Sequence, residues 1–107
     1  MIQRIALLVP AVVLGSILGA TAADFTIIQK NRTFSTREIT VKVGDRVIFA
    51  NNDSVTHNVY SETKGLEFEI ELQPPRRFDA VRFLHPGVAE IECAIHPVMK
   101  LRVHVAP

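Results

Sequence analysis

The 107-residue chain is predicted to fold as one all-β domain, an antiparallel sandwich of two packed sheets. Three observations carry this. After residue 22 the apolar residues mostly alternate with polar ones, the period of two that sets one face of a strand against a core. Clusters of Gly, Pro, Asn and Asp interrupt these runs at short intervals, as turns between short strands do. No stretch beyond residue 22 repeats its apolar residues at helical spacing. Two packed sheets bury the inner face of each, which favours a sandwich over a barrel. A chain of this length supports one core, and no linker, repeat or low-complexity tract suggests a second.

The first element is not part of that domain. In "MIQRIALLVPAVVLGSILGATAAD" a basic residue, Arg4, precedes an apolar run from Ile5 to Leu18 and then small residues, the layout of a secretory signal peptide. The run is short for a membrane span and is interrupted by Pro10 and Gly15, while Ala20 and Ala22 fit an A-x-A cleavage site. Residues 1–22 are therefore expected to be a removed leader and residues 23–107 the folded domain, with Ala23 or Asp24 as the new N-terminus. An uncleaved anchor is the alternative. The expected location is the periplasm if the source is a Gram-negative bacterium, with no membrane insertion after cleavage.

The strands follow in order. "DFTIIQ" sets Phe25 and Ile27 on one face, and "EITVKV" does the same with Ile39, Val41 and Val43 before a tight turn at Gly44-Asp45. "RVIFAN" turns Val47 and Phe49 inward; Ile48 breaks the alternation and suggests a strand covered on both sides. "LEFEIEL" alternates without a break, Leu66, Phe68, Ile70 and Leu72 inward against Glu67, Glu69 and Glu71 outward. Pro74-Pro75 ends that strand, and the less regular "RRFDAVRF" runs to a turn at His85-Pro86-Gly87. "VAEIEC" then points Ala89, Ile91 and Cys93 inward, and "LRVHV" buries Leu101, Val103 and Val105 while leaving Arg102 and His104 outside.

Charge and cysteine usage narrow the function. The full chain has 12 Lys+Arg against 11 Asp+Glu, and loss of the leader removes Arg4 and no acidic residue. The remaining domain is neutral, without the basic field that nucleic acid or an anionic membrane would require. A small exported domain usually needs a staple, and one cysteine cannot form an internal disulfide. Metal ligation of the thiolate would protect it and supply that staple.

The stretch "ECAIHPVMK" holds the single cysteine, one of four histidines and the only methionine besides Met1. Cys93, His96 and Met99 lie on or beside the loop that would join the last two strands. Thiolate, imidazole and thioether together favour copper, and the carboxylates and carbonyls that suit calcium or magnesium are absent from the motif. "SVTHNVY" supplies a second imidazole, His57. Two histidines, one cysteine and a weak methionine make the blue-copper set. Covalent haem would need C-x-x-C-H, structural zinc usually takes more cysteines, and a Cys-His nucleophile would leave His57 and Met99 unexplained.

With these residues in view, the chain resembles the cupredoxins, small type 1 blue copper proteins of the amicyanin and plastocyanin-like group, over essentially all of residues 24–105. The resemblance rests on "TVKVGDRVIFANND", the "HNV" after it, the Pro86-Gly87 turn and C-x2-H-x2-M in "CAIHPVM". It implies a Greek-key sandwich holding one copper ion, with His57, Cys93 and His96 as equatorial ligands and Met99 axial. It also implies that Asn58 ties the two ligand loops together. The interval from His57 to Cys93 is shorter than in many members, and Arg76-Arg77 matches no family motif.

Four protein ligands leave copper no open position for substrate, so electron transfer rather than enzymatic catalysis is expected. The implied partners are larger redox proteins, one donor and one acceptor, docking on the monomer near His96, where Pro97 and Val98 would form an apolar patch. An acidic strip of Glu67, Glu69 and Glu71 could steer a basic partner. His85 and His104 are expected to play no part in the site. An exported copper-binding protein for tolerance, storage or delivery would use the same ligands, and a metal-free secreted sandwich is a third class.

Overall fold

A computed structural model describes residues 21–107, and among them every regular element is a strand. The leader expected over residues 1–22 lies, as far as residue 20, outside the described residues. The strands are β1 (Asp24–Lys30), β2 (Thr33–Phe34), β3 (Glu38–Lys42), β4 (Arg46–Asn51), β5 (His57–Ser61), β6 (Phe68–Gln73), β7 (Phe78–Arg82), β8 (Gly87–Glu92) and β9 (Lys100–Ala106). They form one sheet in the order β2-β1-β4-β7 and a second in the order β3-β9-β8-β5-β6.

Between the sheets lies the core that alternation predicts. Val47 and Phe49 of β4 are fully buried, as are Ala89 and Ile91 of β8 and Val103 of β9. Phe49 packs edge-on to Phe34 and stacks on Phe68, which meets Phe83 edge-on. Each such Val, Ile or Phe side chain contributes about 1.5–3 kcal/mol on leaving water.

Three expectations are corrected. The sandwich is not purely antiparallel: β1 pairs with β4 and β3 with β9 in parallel. The chain leaves the first sheet after β2, places β3 in the second and returns as β4. A strand that re-enters its sheet through the opposite layer can run parallel to its predecessor, a point on which side-chain alternation is silent. Val43 is not inward either. β3 ends at Lys42, and the Asp45 N–H donates to the Lys42 carbonyl at 2.9 Å, with Gly44 at φ 96° supplying the left-handed position of the turn. Val43 sits on that turn, 39% exposed.

The third correction concerns β6. His57 pairs with Gln73 but Val59 pairs with Ile70, so three steps on β6 face two on β5. This β-bulge reverses the side-chain parity beyond Ile70. Leu72, expected inside, is 64% exposed, and Gln73 takes the buried place. There the Gln73 amide donates to the Phe49 carbonyl (2.9 Å) and to Asp79 (3.0 Å), and accepts from Gln29.

Strand direction brings the chemistry to one end. β5 runs antiparallel to β8, so its first residue, His57, lies beside Cys93, just past the last residue of β8. β9 also runs antiparallel to β8, and the connection carrying residues 93–99 closes over the same end.

Candidate metal centre

Cys93 continues the inward alternation of β8 one residue past the strand and is fully buried, as is His57 at the start of β5. His96 reaches in from the β8–β9 loop and is half-buried. The Cys93 Sγ lies 3.8 Å from His57 Nδ1 and 3.9 Å from His96 Nδ1, and the two nitrogens are 3.2 Å apart. Among the described residues, these three side chains are the group of metal-ligating type that converges, every ligand atom within 4.8 Å of the others.

The triangle has the size of one ion. The point equidistant from three atoms so separated lies about 2.1 Å from each, close to the lengths transition metals adopt to imidazole nitrogen and thiolate. Three lone-pair donors aimed at one point repel one another unless a cation stands between them. A thiolate with two imidazoles is a soft-to-borderline donor set, which copper fits.

His57 is oriented from behind. Its Nε2 lies 3.0 Å from Asp53 Oδ2. That carboxylate also accepts the Arg32 N–H (2.7 Å) and the Ser54 N–H (3.1 Å). The Arg32 N–H is the largest cause holding the Asp53 carboxyl down at about 2; hydrogen bonds from His57 and Ser54 add to it, and desolvation opposes. An ionised carboxylate can only accept, so Nε2 carries the proton and Nδ1 presents its lone pair to the centre. Arg32 is delivered by the β1–β2 hairpin, whose central residues Asn31 and Arg32 both take positive φ (53° and 57°), as a two-residue type I′ turn demands.

Asn58 is buried and bridges both ligand segments. Its backbone N–H donates to the Cys93 sulfur at 3.5 Å, and its Oδ1 accepts the Ala94 N–H at 3.1 Å. Its Nδ2 faces the Ile70 and Glu71 carbonyls, each at 3.4 Å, on the bulged part of β6. Beyond His96, Pro97 occupies the second position of a turn closed by the Met99 N–H donating to the His96 carbonyl at 2.9 Å. Met99 follows, fully buried in the core at this end of the sandwich.

The structure thus brings together His57, Cys93 and His96 and buries Met99 just beyond the loop. His85 lies apart in an exposed turn, and His104 pairs with Glu38 on the outer face of β9. Asp53 is the functional residue missed by sequence reasoning. Its signal is an acidic residue four positions before a candidate histidine, and the spacing alone does not say that the loop folds back.

Residues 22–106 match the model of the copper-binding proteins of the plastocyanin/azurin family. The methylamine utilization protein MauL of Methylorubrum extorquens is 28% identical over 90 residues, covering 83% of this chain and 79% of the relative. Amicyanin-alpha of the same bacterium is 32% identical over 75 residues, covering 67% of this chain and 63% of the relative. Among solved structures, a purple cupredoxin from Nitrosopumilus maritimus superposes with a TM-score of 0.68 at 25% identity, over 78% of this chain and 100% of that one. A reduced Cu(I) form of an amicyanin mutant does so with a TM-score of 0.71 at 25% identity, over 84% and 88%.

Proposed function

The chain belongs to the plastocyanin/azurin family of copper-binding proteins, and from that premise we propose that it is a blue copper protein carrying single electrons between larger redox proteins. The observation that supports this most is the convergence of the Cys93 sulfur and two imidazole nitrogens on one ion-sized point inside a β-sandwich. His57, Cys93 and His96 would hold the copper ion through two ring nitrogens and the sulfur, with the buried Met99 as a fourth, weaker ligand. Bound copper would supply a one-electron couple between Cu(I) and Cu(II).

The chain's own residues make that couple fast and contained. Asp53 holds the His57 ring from behind, and Asn58 pins Cys93 and the first residue after it. Ligands held on a hydrogen-bonded frame move little when the charge changes. Burial of Cys93 and His57 excludes water from the sulfur. His96 is the half-exposed ligand, and around it Ile95 is 50% and Val98 80% exposed. This apolar rim is the surface on which redox partners would dock, and the His96 ring edge would be the ligand through which the copper meets them. The exposed Glu67, Glu69 and Glu71 would steer a basic partner. With its four ligands in place the protein is a carrier, not an enzyme. Residues 1–22 direct export to the periplasm and are removed, leaving a monomer.

Expression of the full chain with copper tests the reading. Intense visible absorption, reversible one-electron titration and loss of colour in Cys93→Ala are the expected outcomes. A colourless product that retains no copper overturns it, and rapid surrender of copper to a chelator would favour storage or delivery.

A further inference from the structure

We propose that Asp45 is a built-in receptor for the chain's own processed N-terminus, holding the α-ammonium that removal of residues 1–22 frees on Ala23. The inference rests on the leader proposed above. Asp45 is 3% exposed, an unusual place for a carboxylate. The Ala23 N–H donates to its Oδ1 and the Lys42 N–H to its Oδ2, both at 2.8 Å. The Ala23 carbonyl in turn accepts the Arg46 N–H at 2.9 Å, and the Arg46 guanidinium grips Asp24 with two hydrogen bonds. The domain therefore takes hold of the chain at Ala23 on both sides of the residue.

Hydrolysis of the Ala22–Ala23 bond by a leader protease selective for small residues consumes one water. It leaves a carboxylate on the released leader and an ammonium on Ala23. The nitrogen that donated as a neutral amide then donates with a positive charge to a buried carboxylate, and such charge-assisted bonds are about twice as strong as neutral ones. Cleavage one residue later would delete both the Ala23 N–H and the carbonyl that Arg46 uses. The geometry therefore selects Ala23 over Asp24 as the first residue. The charged groups facing this corner are Asp24, Arg46, Lys42 and Arg82. Asp24 and Arg46 neutralise each other, so Asp45 is the direct partner of the new charge.

The test begins with the intact mass of the exported protein, expected to correspond to a chain starting at Ala23. A start at Asp24 overturns this inference and leaves the leader standing, whereas a retained leader overturns both. Melting temperatures of chains starting at Ala23 and at Ala22 provide the second measurement, and both chains keep Asp45. An ammonium that gains a carboxylate has a raised pKa. Its contribution is present below the ordinary amine value of about 7.7–8.0 and is lost as pH rises through the folded value. The Ala23 chain is expected to melt several degrees higher at about pH 6, with the difference gone by about pH 10.5. Equal melting at pH 6 overturns the proposal. The corner lies at the opposite end of β4 from Asn51, so the copper spectrum should be the same in both chains.

Discussion

Exchanging polarity between Leu72 and Gln73 separates strict alternation from the bulge on β6. Gln73→Leu removes the donor to the Phe49 carbonyl and the acceptor for Gln29. Gln29 is fully buried and its Oε1 already has no partner, so the substitution leaves that amide unpaired altogether. A buried unsatisfied polar group costs about 1–3 kcal/mol, and loss of the Phe49 bond adds about 1 kcal/mol. The expected destabilisation is thus about 2–4 kcal/mol, a large part of the roughly 5–15 kcal/mol that holds such a domain. With an m-value of about 1 kcal/mol/M, the urea midpoint of the copper-free protein should fall by about 2–4 M. Leu72→Gln, at a position 64% exposed, should stay within about 0.5 kcal/mol of the parent. A double change, Gln29→Leu with Gln73→Leu, removes both partners and should recover part of the loss. Copper-free protein followed by circular dichroism keeps metal binding out of the measurement. A larger loss in Leu72→Gln than in Gln73→Leu would refute the bulge and restore Leu72 to the core.

Three further outcomes are expected. Asp53→Ala frees the His57 ring and should weaken copper binding about 10–100-fold in a competitive chelator titration; unchanged affinity would mean that the carboxylate does not orient the ligand. Met99→Leu should keep the colour and raise the reduction potential measured by voltammetry, because loss of the weak axial donor disfavours Cu(II); an unchanged potential removes Met99 from the axial position. Asp45 is held below the ordinary carboxylate range first by the Ala23 N–H and then by the Lys42 N–H. Its contribution is present above that ordinary value and lost as pH falls through the folded one, so the melting gap between the parent and Asp45→Asn should narrow from pH 6 to pH 2. A gap independent of pH would contradict this.

Much of the molecule is legible along the chain because it is written in local periodicity. The inward set of β8, ending in Cys93, and that of β9 follow from alternation alone, since each strand packs one face on the core. The loop carrying Cys93, His96 and Met99 is legible for the same reason, its ligands lying within seven residues. Leu72 marks where this logic stops. Parity holds only while each residue on one strand faces one on its neighbour, and the extra residue of β6 appears only once β5 is beside it. Asp53 is the same lesson at the metal centre, because its role depends on Arg32, twenty-one residues earlier, presenting an N–H from the β1–β2 hairpin.

Residue chemistry and spacing were sufficient to establish an all-β chain, an inward cysteine and a soft donor set suited to copper, because these depend on side-chain type and a period of two. Strand direction, the bulge at Gln73, the Asp53 support behind His57 and the Asp45 anchor for Ala23 came from folding. Each depends on a contact between distant segments, the Asp53 support through the Arg32 N–H, and no local pattern encodes which carbonyl or carboxylate a buried N–H will meet.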